Sequence, residues 1–450
     1  MTKLVFRALD WRQLRERLLS ASPLEHAAVL VVSSGRGDES DRLVVRDIVY
    51  ATPEDILEQT PVRVTLSPTF LAAQLKAARG EKSGLILVHT HPGQDEPVFS
   101  DVDDRAQLCL APTLHRRSPE GRHGFLVIGA QGYSGRLFDA SGQTVSSIDS
   151  VHEVGSFLHV FQAGQAGEVV EETLPAHFDR NVRAFGREGQ KRLQALTVAI
   201  VGVGGTGSIV VEELARLGVG RLILIDPETL EDTNLNRVFG SSPADIGRLK
   251  IDVAADAALR ANPAVQVKLS SGSVIEERTA RSLLDADFVL CCTDSHGSRA
   301  VLNQISYQYR LPMIDVGVRI DANEGVVTAM STRVQMLAEG LPCLNCHPLL
   351  DPVSVRRDLQ LDTSIDPYIV GHYEPQPAVV SLNAQTSSSA VSMFLSAVTG
   401  YPGNSRHLVG RPIDGVVRAV ASAPNLDCVV CSHENTLARA DGWPMIWRAS

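Results

Sequence analysis

With 450 residues, 44% apolar and 21% charged, the chain has the composition of a globular protein and the length for two or three domains with separate cores. A formal charge of -10 with no dense Lys/Arg run excludes the electrostatic footprint of nucleic-acid or anionic-membrane binding, so neither partner is expected. No stretch approaches about 18 successive apolar residues, so no bilayer span is expected. The amphipathic N-terminus MTKLVFRALDWRQLRERLL lacks the apolar run and cleavage site of a signal peptide, and the expected location is the cytoplasm.

In chain order, residues 1 to about 150 read as a leading helix followed by β-rich runs at 27–32, 42–45 and 85–88, an α+β pattern. Residues 161–177 are small and acidic with a Pro, which suits a linker between a first domain, 1–160, and a second, 178–450. The second opens with a helical stretch through Gly186 to Leu193. An apolar strand at 197–201, a glycine turn, a helix at 209–217 and a strand at 221–225 then form a βαβ unit. Further strands at 288–290 and 313–316 continue the alternation, and a mostly parallel sheet is expected, making the chain α/β overall.

Chemistry in the first domain concentrates in His89-Thr90-His91-Pro92, followed by Ser100 and Asp103. Two His separated by one strand residue point the same way, so both can face one metal ion. Ser100 reads as a helix N-cap, which places Asp103 in the first turn as a third ligand and leaves a fourth position for water. Ser-x-x-Asp by itself reads first as a helix capping box. The joint pattern resembles the JAMM (MPN/JAB) metalloprotease family. That resemblance implies a catalytic Zn²⁺ on His89, His91 and Asp103, and Ser100 as a hydrogen-bond donor to the developing oxyanion. It also makes Glu25, in Ser22-Pro23-Leu24-Glu25, the general base, the alternative being a solvated helix-end carboxylate. Asp101 and Asp104 are expected to face solvent.

The second domain carries Gly202-Val203-Gly204-Gly205-Thr206-Gly207 between strand and helix, with Asp226 ending the next strand, a context that reads as a nucleotide site. A nicotinamide dehydrogenase has no need of the Arg and Lys that follow. Breaking an α-β phosphate bond requires such cations, because charge leaves as pyrophosphate. Asn234, Arg237, Lys250 and, after a later strand, Asp294 in this order resemble the ubiquitin-activating enzyme family in its bacterial ThiF/MoeB form. That resemblance implies adenylation of the C-terminal carboxylate of a ubiquitin-like or sulfur-carrier protein with Mg²⁺ and ATP. Gly202, Gly204 and Gly207 would form the phosphate turn, Asp226 would hold the ribose, and Asn234, Arg237 and Lys250 would handle the phosphates. Asp294 would bind Mg²⁺, and Arg180 would reach the ATP of the other subunit of a homodimer.

Of seven cysteines, Cys343, Cys346, Cys428 and Cys431 form two C-x-x-C pairs, expected to hold one structural Zn²⁺. His347 and His433 are adjacent alternative ligands. Cys109, Cys291 and Cys292 are expected to be core residues. No Cys occurs between Cys346 and Cys428, so a thioester cannot form in that crossover segment. Direct transfer to a partner, an oxyester on Thr363 or Ser364, or arrest at the adenylate remain open. The two resemblances together imply a bifunctional enzyme of a bacterial ubiquitin-like conjugation pathway, a conjugating-enzyme-like protein being a further partner. Sulfur-carrier activation for cofactor or amino-acid synthesis and a non-catalytic scaffold are the competing readings.

Overall fold

The computed structural model describes residues 1–164, 174–360 and 377–448. The first half runs β1 (Thr2–Arg7), α1 (Asp10–Leu19), β2 (Ala27–Arg36), β3 (Asp41–Tyr50), β4 (Ile56–Thr60), β5 (Arg63–Leu66), α2 (Pro68–Gly80), β6 (Gly84–Thr90), α3 (Asp101–Arg117), β7 (His123–Ile128), β8 (Tyr133–Phe138), β9 (Thr144–Ser147), β10 (Ser150–Val154) and β11 (Leu158–Gln162). The second runs α4 (Asp179–Ala195), β12 (Thr197–Val201), α5 (Gly207–Leu217), β13 (Arg221–Ile225), α6 (Lys250–Ala261), β14 (Gln266–Ser270), α7 (Glu277–Ser282), β15 (Phe288–Cys291), α8 (His296–Gln308), β16 (Met313–Asn323), β17 (Val326–Leu337), α9 (Pro352–Leu359), α10 (Val380–Val398), β18 (His407–Arg411) and β19 (Val416–Ala419).

The apolar runs of the first half are continuous because its sheet is buried on both faces. Nine strands lie in the order β11-β10-β1-β3-β2-β6-β7-β8-β9. Leu30, Ile86 and Leu126 pack with Trp11, Leu14 and Leu18 of α1 on one face, while Val29, Leu85 and Phe125 pack with Phe70 and Leu75 of α2 and Leu114 of α3 on the other. The chain does not lead with a helix: Thr2–Arg7 is a strand held parallel between β10 and β3. Leu4, Val5 and Phe6 are all fully buried, so this segment presents no solvent face and no alternation to read.

In the second half, β14-β13-β12-β15-β16 are parallel, and β17, β18 and β19 extend the sheet with antiparallel pairings. Three antiparallel strands at one edge are more than a mostly parallel sheet suggests. Both faces are covered, one by α5, α6 and α10, the other by α7, α8 and the C-terminal segment.

The two halves share their cores. Val5, Val154 and Leu158 of the first sheet belong to one apolar cluster of the second half, and Val44 to the other. Ionic groups cross the same seam. Lys3 Nζ pairs with Asp287 Oδ1 at 2.7 Å and donates to the Asp285 carbonyl at 2.6 Å. Arg42, fully buried, donates to the carbonyls of Tyr309 and Arg310 at 2.7 Å each and of Ala286 at 3.3 Å. Arg310 pairs with Glu339 and donates to the Val45 carbonyl. Replacing Arg42 by Ala leaves three carbonyls without their donor, while Asp287 keeps Lys3. Arg42→Ala is therefore expected to lose about 3–5 kcal/mol of unfolding free energy in urea denaturation.

His152 sits in this seam, 2.9 Å from Ser150 Oγ and 4.0 Å from Asp287 Oδ1. Burial lowers its pKa to about 3, with Asp287 opposing and the charges of Lys3 and Arg42 assisting. An unfolded His titrates near 6.5, so between these values the unfolded chain binds the extra proton and stability falls as pH drops from about 6.5 towards 3. His123, His159 and His407, each held near 4, act in the same direction. Calorimetric melting of His152→Gln across pH 7 to 4.5 is expected to show a shallower loss than the unsubstituted protein.

Candidate functional site

Two groups of reactive side chains form, each at the C-terminal ends of strands. In the first half, β6 delivers His89 as its penultimate residue. His91, one residue past the strand, stays extended because its N–H donates to the Ile128 carbonyl at 2.9 Å. Their Nε2 atoms lie 3.2 Å apart. Asp103 arrives from the first turn of α3. Its Oδ2 accepts from the Ser100 N–H and hydroxyl at 2.7 Å each, and its own N–H donates to Ser100 Oγ at 3.3 Å, closing a capping box. The cap and ligand readings coexist, because Oδ1 is left facing His89 Nε2 at 3.0 Å. Burial raises the Asp103 pKa, but the hydrogen bond and charge of His89 and the Ser100 donors outweigh it and hold the carboxyl well below its ordinary range. Asp101 and Asp104 are exposed.

Glu25 is not a solvated helix end: it is 4% exposed, with Oε1 3.7 Å from His91 Nε2. The β4–β5 hairpin clasps it. Its N–H donates to the Thr60 carbonyl and its carbonyl accepts from Gln59 Nε2, both at 2.9 Å. Burial pushes its pKa up to about 7, the charge of His89 pulling the other way. Ligand atoms of Glu25, His89 and His91 all lie within 4.8 Å of one another. A tetrahedral zinc ion with bonds of about 2.0–2.1 Å spaces its ligands about 3.3 Å apart, so the imidazole spacing fits such an ion with Asp103 as third ligand.

In the second half, Gly202 follows β12 with φ +84°, a backbone conformation that a side chain would strain. Gly207 opens α5, and a Cβ there would overlap the Gly202 carbonyl oxygen, so the turn closes only with glycine at this point. Around Gly204 a Cβ would meet nothing within 4 Å, leaving open space above the turn. Asp226, 6% exposed, buttresses the turn from β13: its Oδ2 accepts from the Val203 N–H at 2.8 Å and its Oδ1 from the Glu228 N–H at 2.9 Å. Burial raises its pKa, those two donors opposing.

Lys250, 8% exposed at the start of α6, is ion-paired with Glu228. Asn234 is buried, and Arg237 donates to the Thr233 carbonyl at 2.6 Å while its stem lies against Gly205. Asp294 is exposed in the segment between β15 and α8. Asp226, Arg237 and Lys250 thus converge on one turn and its flanks. Arg180 is exposed on the first turn of α4, and Thr363 and Ser364 lie outside the described residues. Sequence reading passed over Glu228, Asp358 and Asn383. Asp358 Oδ2 accepts from Ser295 Oγ at 2.9 Å and from the Gly297 N–H at 3.0 Å, beside Asp294. Glu228 had a local signal, two residues after Asp226; the other two come from far along the chain.

The four cysteines meet as the spacing implies. Sγ separations are 3.7 Å for Cys343–Cys346, 3.5 Å for Cys343–Cys428 and 3.4 Å for Cys346–Cys431. Tetrahedral zinc with bonds of about 2.3 Å has sulfur–sulfur edges near 3.8 Å, so the cluster fits that ion closely. His347 bonds Ser422 Oγ at 3.0 Å, and His433 lies 3.9 Å from Glu339; neither belongs to the sulfur cluster. Cys291 is fully buried, Cys292 lies one residue past the strand, and Cys109 is exposed on α3 rather than packed in a core. Burial holds the Cys292 thiol near 12, far from a reactive thiolate.

Comparison with known proteins bears on the second half. The ThiF family model matches residues 178–415, more than half of the chain. The molybdopterin-synthase adenylyltransferase of Salmonella typhimurium is 33% identical over 166 residues, which cover 37% of this chain and 64% of that protein. Ubiquitin-like modifier-activating enzyme 5 of Arabidopsis thaliana is 32% identical over 180 residues, covering 36% of this chain and 40% of that protein. The chain thus spans less than two thirds of the length of either relative. Among solved structures, E. coli MccB with MccA-N7isoASN aligns over 58% of this chain and 76% of that chain at 18% identity, with a TM-score of 0.47. The glycine turn, its buttressing aspartate and the cations beside it all fall within the matched segment, and the chain belongs to the ThiF family.

Proposed function

We propose that the chain is a bifunctional enzyme acting on the C-terminus of a ubiquitin-like or sulfur-carrier protein. Its second half adenylates that carboxylate, and its first half is a JAMM-type zinc metallopeptidase that hydrolyses the peptide or isopeptide bond following such a protein. The observation that carries the adenylation reading is the open glycine turn with Asp226, Arg237 and Lys250 around it, inside the ThiF match. The names of the two relatives, one an adenylyltransferase and one an activating enzyme, support the substrate class.

In the adenylation step a carboxylate oxygen of the substrate attacks the α-phosphorus of ATP, the α-β phosphoanhydride bond breaks, and pyrophosphate leaves. Asp226 holds the ribose. Lys250 exchanges Glu228 for phosphate oxygens, and Arg237 and Asn234 follow the charge that moves onto pyrophosphate. Asp294 holds Mg²⁺, which neutralises phosphate charge. Arg180 acts across a homodimer.

For the peptidase, the carrying observation is the convergence of Glu25, His89, His91 and Asp103 from three separate segments. His89, His91 and Asp103 would hold Zn²⁺, which would supply a polarised water and a Lewis acid. Buried Glu25 takes the water's proton on Oε1 and returns it to the leaving amine. Ser100 fixes Asp103 through the capping box; its one hydroxyl proton, donated to Asp103 Oδ2 here, turns to the oxyanion while the Ser100 N–H keeps its bond to that oxygen. The peptidase exposes or regenerates the terminal carboxylate that the second half consumes.

A second reading, sulfur-carrier activation that stops at the adenylate or passes it directly to a partner, is favoured by the absence of any Cys between Cys346 and Cys428. An oxyester at Ser364 is the alternative for a conjugating pathway, with a conjugating-enzyme-like protein as the recipient.

ATP–pyrophosphate exchange driven by small proteins ending in Gly is the direct test. Asp294→Ala is expected to lower the exchange rate by about 100-fold or more, and unchanged exchange would remove the assignment. For the first half, Glu25→Ala is expected to abolish cleavage of a tail-extended precursor while zinc content by atomic absorption stays unchanged. His91→Ala is expected to lose cleavage and one of two zinc equivalents, the four-cysteine ion remaining; a Glu25→Ala protein that cleaves normally has a different base.

A further inference from the structure

The glycine turn has a neighbour that no spacing in the sequence announces. Asn383, near the start of α10, is 4% exposed, and its Nδ2 fills the space that a Cβ on Gly205 would need. The same Cβ would lie 3.3 Å from Arg237 Cδ, so the carboxamide and the arginine stem bear on one peptide of the turn. A side chain at 205 would have to displace both, and two groups able to donate hydrogen bonds meet above this position.

The placement of α10 is not incidental to this contact. Ser387 Oγ donates to the Thr206 carbonyl at 3.0 Å, and Ser388 bonds Glu213 of α5. The helix is therefore fastened to both the turn and the helix that the turn opens. A carboxamide offers two N–H donors, and Nδ2 is the atom set against Gly205. Open space adjoins it above Gly204.

We propose that the Asn383 amide donates a hydrogen bond to a β- or γ-phosphate oxygen of ATP lying on the glycine turn, so that α10 takes part in triphosphate recognition. The inference rests on the nucleotide reading above and adds to it a residue that distinguishes ATP from AMP. Being neutral, the carboxamide contributes direction rather than charge, beside the guanidinium of Arg237.

Isothermal titration of the full chain with Mg-ATP and, separately, with AMP tests it. Asn383→Asp keeps the shape but turns a negative oxygen towards the phosphates. It is expected to weaken Mg-ATP binding about tenfold or more and to change AMP binding less than about twofold. Asn383→Ser, which keeps a small polar side chain, is the companion variant should the aspartate fail to fold, with a smaller loss again confined to ATP. Equal losses for the two nucleotides, or no loss for either, overturn the inference while leaving the nucleotide site in place. Unsubstituted protein that binds neither nucleotide overturns the nucleotide reading itself.

Discussion

A cation buried without water has to find oxygen atoms, and Arg42 finds them only in the other half of the molecule. Its partners are main-chain carbonyls of Ala286, Tyr309 and Arg310, at the entry to β15 and the exit of α8. Lys3 and Asp287 close the seam alongside. Main-chain acceptors have positions set by secondary structure, so these bonds lock the orientation of one sheet on the other more firmly than exposed ion pairs do. Lys268 and Arg221, which reach Glu39 at the surface, add register but little energy.

The seam roots the strands that carry the chemistry. β15 begins one residue after Asp287 and delivers Asp294 just past its far end. β3, which holds Arg42, pairs with β2, and β2 pairs with β6, whose last residues include His89. Each candidate site therefore hangs from a strand system anchored in the same buried ionic layer. Under the proposed function, covalent fusion raises the effective concentration of the two activities for a shared substrate, and the two halves are packed together as well as joined.

What was legible in the sequence follows from how local its cause is. The βαβ unit at 197–225 was readable because the glycine turn, the apolar strand and the amphipathic helix are contiguous, and each lies within a residue or two of its expected bounds. The His-x-His spacing and the two C-x-x-C pairs were readable because ligand geometry imposes short separations. β1 was missed because a strand buried on both faces shows no alternation. The burial of Glu25 was invisible because it comes from the β4–β5 hairpin, some thirty-five residues downstream. Cys109 was misplaced because an apolar residue type on an amphipathic helix does not say which face it takes. Asn383 approaches the glycine turn and Asp358 the start of α8 through tertiary packing alone, and no pattern in the chain points to them.

The four sulfurs bring together residues 85 positions apart, Cys343 with Cys428 and Cys346 with Cys431, and the stretch they enclose includes both α9 and α10. Tying off so long a loop takes more freedom from the unfolded chain than from the folded one. A metal ion held there would close a loop that carries α10, whose Ser387 bonds Thr206. Oxidising or stripping those thiolates would slacken the tether at a distance, and phosphate handling would inherit a sensitivity to thiol chemistry although no cysteine touches the glycine turn's open side.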